Sequence, residues 1–183
     1  SELSEDTYNF FKKVAGYDTL RMILCKKAIL CEGDSDELVI QKAYMQLNDG
    51  RLPIEDGIEV ISVGVSFLRF LEIADCIQTK IAVVTDNDGD LAAINKKYEN
   101  YIGANQKEYI KICVDDVVDT GTLKIGKSDY NYNTLEPKLL KANGLDKLNR
   151  IFGTAYTDED DLRKFMKHNK TECGLKIFES SEQ

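Results

Sequence analysis

Two short apolar runs, residues 26–32 and 80–85, constrain the fold of this chain more than any other feature, because each ends in a cluster of acids. The acids at these two ends are Glu32 and Asp36, then Asp86 and Asp88. Runs of this length bounded by turn residues predict buried strands, and open α/β sheets bind ligands at the carboxyl ends of such strands. Carboxylates brought together there repel one another unless a cation lies between them. The pattern therefore predicts a divalent-metal site.

The pattern between residues 26 and 114 alternates strand and helix. Strands are predicted over 26–32, 58–63, 80–85 and 109–114, and helices over 35–48, 66–77 and 90–101. This βαβαβαβ order with short connections indicates an α/β fold, a parallel sheet of about four strands with helices on both faces. Carboxyl-terminal helices are predicted from Thr134 and over 145–152, 158–168 and 170–179.

Two further helices are predicted ahead of the first strand. The first covers residues 3–15, and its apolar spacing gives an inner face of Leu3, Phe10, Phe11 and Val14. The second begins with Asp18 as its cap. Its apolar residues, predicted to brace the first strand, are Leu20, Ile23 and Leu24.

Length and composition indicate a single folded domain with a helical appendage. The chain has 183 residues, 43% of them hydrophobic, and two prolines. Its predicted division is an amino-terminal helical segment 1–25, a sheet core with a polar excursion 26–133, and a carboxyl-terminal helical region 134–183. Its apolar runs are far shorter than the ~20 residues that span a bilayer. We therefore expect a soluble, cytoplasmic protein with no membrane partner.

The net charge of −8 weakens the case for a nucleic-acid partner without excluding it. The net charge does not argue against a metal-dependent nuclease, because the acids of its site are neutralised when the metal binds. Five cysteines in no C-x-x-C pair predict reduced thiols in a reducing compartment. The single histidine, His168, is predicted to be a surface residue.

Residues 115–133 break the alternation and are predicted to form an extended excursion or a hairpin. Within them, Gly121 to Ser128 fits the P-loop pattern G-x-x-x-x-G-K-[ST]. A working P-loop needs a buried strand before it and a helix beginning at Lys127. The segments on both sides are polar, so a chance match is favoured.

Two known classes of acid-rich site do not fit this sequence, because residues that each class requires are replaced. The run from Asp86 begins like an EF-hand, but Leu91 stands where that loop needs glycine and Lys97 where it needs glutamate. A phosphatase of the haloacid dehalogenase type needs threonine or valine where Asp90 stands, and its motif belongs on the first strand.

The two acidic strand ends, about 50 residues apart, resemble those of a TOPRIM domain, the catalytic module of topoisomerases, primases and several nucleases. Four runs in matching order narrow the resemblance to the carboxyl-terminal half of the overcoming-lysogenisation-defect (OLD) family of ATP-dependent nucleases. They start at Gly16, Ile29, Asn133 and Asn169, so the resemblance extends over nearly the whole chain. In that family an ABC-type ATPase domain precedes the TOPRIM region, so this chain is expected to be the carboxyl-terminal part of a longer protein.

The resemblance implies a TOPRIM (Rossmann-like) sheet and DNA phosphodiester hydrolysis with two divalent cations, Mg²⁺ or Mn²⁺, with Ca²⁺ as an inactive substitute. It implies catalytic roles for Glu32, Asp36, Asp86, Asp88 and Lys170, and metal binding by the same four acids together with Glu136. Asp36 is an aspartate where some relatives have glutamate. Hard cations prefer oxygen ligands, and two ions roughly 4 Å apart can stabilise both the attacking and the leaving oxygen.

Three functions remain open at this point. A metal-dependent DNA nuclease is favoured, acting on DNA as an isolated monomer with no ATP site of its own. A TOPRIM enzyme of the primase or topoisomerase type would need a zinc module or a nucleophilic tyrosine on another domain. A nucleotide-binding regulatory module would use Gly121 to Ser128.

Overall fold

A computed structural model describes residues 3–13 and 16–182. Its centre is a four-stranded sheet of β1 (Lys27–Cys31), β2 (Ile58–Ser62), β3 (Lys80–Val84) and β4 (Ile110–Cys113). The strands lie in the order β2-β1-β3-β4 and all pair in parallel. The predicted parallel sheet is therefore confirmed, and the carboxyl ends of β1 and β3 lie side by side.

The helices follow the predicted order. They are α1 (Glu5–Lys13), α2 (Tyr17–Leu24), α3 (Asp34–Leu47), α4 (Phe67–Ile77), α5 (Leu91–Lys97), α6 (Leu135–Asn143), α7 (Leu145–Phe152), α8 (Glu159–His168) and α9 (Lys170–Glu179). Helix α5 ends at Lys97, shorter than the predicted 90–101. Among the residues described, no helix is both long and apolar enough to cross a membrane.

The main core lies on one face of the sheet. Strand residues Leu30, Ile81 and Val83 pack there with Phe67 and Leu71 of α4, all nearly or fully buried. Right-handed crossovers place α4 and α5 on this face and α3 on the other. A second core joins α6, α7, α8 and α9, and its buried members are Leu140, Leu148, Phe152, Leu162, Met166 and Cys173.

Helix α9 connects the second core to the sheet by packing along α3. The contact is close because residue 174 is glycine: a Cβ atom there would lie 3.1 Å from the Cα atom of Ser35. This close approach places Lys170, one helical turn before Gly174, at the acidic edge of the sheet. The predicted domain limits at residues 25 and 133 stay a prediction.

Helix α2 differs from the prediction, whereas α1 packs on the core through its predicted face. Met22 is the buried residue of α2, whereas Leu20, Ile23 and Leu24 are exposed. Gly16, not Asp18, precedes the first turn, and Asp18 instead pairs with Arg21 at 3.2 Å. Phe11 of α1 does pack on Phe70 as expected, and Val14 lies outside the described residues.

The polar excursion contains a hairpin. Strands β5 (Lys124–Ile125) and β6 (Ser128–Asp129) pair antiparallel around a turn at Gly126, whose φ is +63°. The hairpin is one of the two predicted forms. Lys127 consequently lies at the tip of a turn, and a strand follows it instead of the helix that a P-loop requires.

Candidate active site

Glu32 follows the last residue of β1 and is fixed at both its main chain and its side chain. Its carbonyl oxygen accepts hydrogen bonds from the backbone N–H of Gly64 at 3.1 Å and the Ser62 hydroxyl at 3.2 Å. The hydroxyl of Thr85, at the end of β3, donates to Glu32 Oε1 at 3.0 Å. The ends of the two strands are thereby linked directly, as their parallel register allows.

Asp36 lies in the first turn of α3 and caps that helix, since its Oδ2 accepts from the Gly33 N–H at 3.1 Å. Burial raises the pKa of this carboxyl, and the charges of Glu32 and Glu136 raise it further, while the Gly33 bond opposes them. Asp36 therefore caps helix α3 and also interacts electrostatically with the other acids.

Asp86 is the candidate acid whose pKa departs furthest from its usual value. Burial raises its pKa from 3.8 to about 7, with further contributions from Asp36, Glu32, Asp88 and Glu136 in that order. These acids come from β1, α3, the loop after β3, and α6. The structure thus brings all five acids implied by the resemblance into one electrostatically coupled group.

Asp88 occupies a left-handed turn, with φ of +50°, and is the exposed member of the group. Asn131 donates from Nδ2 to Asp88 Oδ1 at 2.9 Å. Asn131 in turn accepts from the Asn133 N–H at 2.9 Å, and Asn133 makes two bonds to the backbone of Asp119. The polar excursion is therefore hydrogen-bonded to the turn that carries Asp88.

Asn87 was not predicted as a site residue. It is 1% exposed, and its side chain joins the loop after β3 to the backbone of the polar excursion. Its Nδ2 donates to the carbonyl oxygens of Asp115 at 2.7 Å and Val117 at 3.0 Å, and its Oδ1 accepts from the Gly89 N–H at 2.9 Å. The sequence offered one indication of this role, because Asn87 stands between two acids at the end of a strand. A side-chain amide can both donate and accept hydrogen bonds there and so fix the conformation of a loop.

Glu136, in the first turn of α6, is buried with its side chain 6% exposed. Its Oε1 lies 3.0 Å from Nζ of Lys170, and its Oε2 accepts from the Thr134 hydroxyl at 3.2 Å. Lys170 is the first residue of α9 and remains half exposed. The predicted late lysine therefore does reach the acids.

The chemistry of this donor set fits a hard divalent cation, because all five candidate ligands offer carboxylate oxygens. Across residues 3–13 and 16–182, however, no three acid, histidine or cysteine side chains are gathered closely enough to hold an ion as they stand. A cation bound through Oε1 of Glu136 would compete with the ion pair to Lys170. A bound cation would relieve the repulsion from neighbouring acids, which adds to burial in raising the pKa of Asp86.

The thiols and the histidine are not among the candidate ligands. All five cysteines are free, with Cys31 and Cys173 buried. Burial raises the pKa of Cys173 to about 11, so its thiol stays protonated at neutral pH. His168 is exposed on α8, as predicted.

A parallel sheet in the order β2-β1-β3-β4, with acids at the carboxyl ends of its two central strands, defines a TOPRIM-like α/β domain. Comparison with known families agrees: residues 23–88 match the model of the overcoming lysogenization defect protein-like TOPRIM domain. The resemblance predicted from the sequence is confirmed over that part of the chain.

A solved structure extends the likeness in fold. The carboxyl-terminal region of the Xanthomonas campestris pv. campestris OLD protein superposes with a TM-score of 0.55, covering 88% of this chain and 86% of that one. The two sequences are 17% identical, so this likeness concerns the fold alone. No curated protein sequence matches the chain.

Proposed function

We propose that this chain is a metal-dependent DNA endonuclease, which hydrolyses phosphodiester bonds with two divalent cations, Mg²⁺ or Mn²⁺. The observation that carries the proposal is convergence: the acids after β1 and in the first turns of α3 and α6 lie near enough to Asp86 to raise its pKa, and a lysine from α9 pairs with one of them. The match of residues 23–88 to an OLD-like TOPRIM domain adds support, since TOPRIM domains generally bind divalent metals.

Each side chain has a proposed part. Glu32 and Asp36 would hold one cation or orient the attacking water, Asp86 would contribute to holding both cations, and Asp88 and Glu136 would complete the set. The cations, when bound, stabilise the charge on the attacking and leaving oxygens. Thr85 keeps the Glu32 carboxylate oriented through its hydrogen bond.

Lys170 has a proposed role in charge compensation. In the structure it forms an ion pair with Glu136. The ammonium of Lys170 would offset the charge that develops on the scissile phosphate. Such compensation acts mainly in the transition state.

The proposed partners are DNA and an ABC-type ATPase domain in a longer protein. The ATPase domain is supported by the solved structure that superposes on most of this chain, because that structure is the carboxyl-terminal region of an OLD protein. The hairpin geometry around Gly126 speaks against a second candidate, nucleotide binding by Gly121 to Ser128.

The test is a plasmid nicking and cleavage assay with Mg²⁺, Mn²⁺, Ca²⁺ or EDTA, each with and without ATP. We expect cleavage with Mg²⁺ or Mn²⁺ alone, none with Ca²⁺ or EDTA, and no response to ATP. Asp86→Asn should abolish cleavage, whereas Asp116→Asn, a matched change at an exposed acid of the neighbouring loop, should cleave normally. No metal-dependent cleavage by the wild-type chain, or equal cleavage by Asp86→Asn, contradicts the proposal.

A further inference from the structure

The two faces of the central sheet are covered unequally. On the core-facing side, strand positions such as Ala28, Leu30, Ile81 and Val83 are at most 4% exposed. On the opposite side, Ile29 and Ala82 are only partly buried, and the lysines on that side are exposed. We call this second surface the open sheet face, defined by Lys27, Ile29, Lys80, Ala82 and Lys111.

The open sheet face forms a groove of about 300 Å³, which Ile58 and Tyr109 also line. Its floor is apolar, and parallel sheets are otherwise almost always covered on both faces. Helix α3 packs against β2 and covers the other end of this face, where Cys31 and Val60 are buried. Over β3 and β4 the same face remains open.

Three cations surround that floor. In the strand register, Lys27 of β1 lies directly opposite Lys80 of β3, and Lys111 of β4 lies opposite Ala82 of β3. None of the three forms an ion pair within the described residues, and Glu108 is the acid that lines the groove. Like charges directly opposite each other in a sheet are destabilising, so an anionic partner would relieve this arrangement.

We propose that the open sheet face binds an amphipathic helix of a protein partner, with an apolar stripe flanked by acids. The dimensions fit one helix: three strands ~4.8 Å apart span ~10 Å, which is about one helix diameter. An apolar stripe would cover Ile29 and Ala82 while acids meet the lysines. A DNA backbone would satisfy the lysines but leave the apolar floor uncovered, so a helix fits both features. This inference is independent of the proposed nuclease activity.

The test titrates a fluorescent, helix-stapled peptide with a leucine stripe flanked by glutamates into the full 183-residue chain, without divalent cations, and follows anisotropy. A second peptide keeps the leucines and replaces every glutamate with glutamine. The double variant Lys80→Glu with Lys111→Glu removes the rim charge. Its matched control, Lys96→Glu with Lys127→Glu, makes the same change in net charge at exposed lysines elsewhere.

We expect the acidic peptide to bind, the Lys80 and Lys111 variant to bind it roughly tenfold more weakly, and the control variant to bind like wild type. Melting curves establish that the variants are folded. No binding of the acidic peptide, equal binding of the glutamine peptide, or an equal loss in the control variant overturns the proposal. Displacement of the peptide by short duplex DNA also overturns it, because it would identify the face as a phosphate-binding surface.

Discussion

Lys170 and Glu136 form an ion pair in which Nζ lies 3.0 Å from Oε1, joining a half-exposed cation to a carboxylate that is almost fully buried. The pair connects the first residue of α9 with the first turn of α6. Because Glu136 also acts on the pKa of Asp36 and Asp86, Lys170 lies at one end of the whole acidic group. A cation bound by Glu136 would compete directly with this lysine.

The first prediction is that Lys170→Ala lowers the cleavage rate by one to three orders of magnitude without lowering divalent-metal affinity. Loss of a well-placed charge in the transition state has an effect of about that size, while removing the competing ammonium leaves Glu136 free for a cation. Single-turnover plasmid cleavage and metal titration calorimetry provide the two measurements.

The control for this prediction is Lys170→Arg, which keeps the charge and should retain most of the rate. Melting curves of all three proteins separate a catalytic effect from unfolding. Normal cleavage by Lys170→Ala would show that the lysine is only a partner of Glu136.

The second prediction concerns pH. Asp86 ionises near 3.8 when unfolded and near 7 when folded, so between these values the folded state keeps a proton that the unfolded state has lost. The free energy of unfolding therefore falls as pH rises from about 4 to about 7 and stays reduced above that range. Asp86→Asn should remove this loss and be more stable than wild type by roughly 2 kcal/mol above pH 7, allowing for solvent screening.

Urea unfolding at several pH values without metal measures this difference. Asp116→Asn, at an exposed position, should keep the wild-type pH dependence. Added Mg²⁺ should stabilise wild type above pH 7 and stabilise Asp86→Asn much less. A wild-type stability that is flat between pH 4 and pH 7 would contradict the prediction.

The third prediction concerns Asn87. Asn87→Ala removes two donors to the carbonyl oxygens of Asp115 and Val117 and the acceptor for Gly89. Losing the three hydrogen bonds of this buried amide should lower the free energy of unfolding by about 2 kcal/mol, and it should lower cleavage even where the chain is still folded, since Asp86 and Asp88 flank the residue.

Denaturant unfolding, followed by cleavage assays under conditions where the variant is fully folded, measures the two effects separately. Asn105→Ala, at an exposed asparagine with a single amide bond to the Glu99 carbonyl, is the comparison and should change both quantities little. A fully active Asn87→Ala protein would reduce the residue to a purely structural role.

The fourth prediction is that ATP does not bind Gly121 to Ser128. Lys127 sits at an exposed hairpin tip with a strand behind it, so no helix N-terminus is available for phosphate. Calorimetry with ATP and Mg²⁺, corrected for metal binding alone, should show no saturable heat. Micromolar affinity that disappears in Lys127→Ala would restore the P-loop interpretation.

The sheet and its acids could be predicted from sequence because both follow from local pattern. An apolar run such as residues 26–32 reports a buried strand wherever it occurs, and a parallel order then fixes which strand ends are neighbours. Glu32 and Asp86 were therefore predictable as a pair, although their individual roles remain proposals.

What could not be predicted depends on packing between distant segments. In α2 the apolar residues alone do not reveal that Met22 turns inward while Leu20 and Leu24 stay exposed. Asn87 likewise has no helix or strand period, and its importance arises from two carbonyl groups about thirty residues away in the chain. The contact of Lys170 with Glu136 required the fold of α6 to α9.

The glycine contact between α9 and α3 has a consequence for how chains of this type can vary in length. Because Gly174 rests against Ser35 and Cys173 packs in the second core, the position of Lys170 is set by these contacts of α9 and not by the length of the loop that joins α7 to α8. Insertions or deletions in the loop between those two helices would therefore leave the lysine in place. A bulky residue at position 174 would displace it even in a chain of unchanged length.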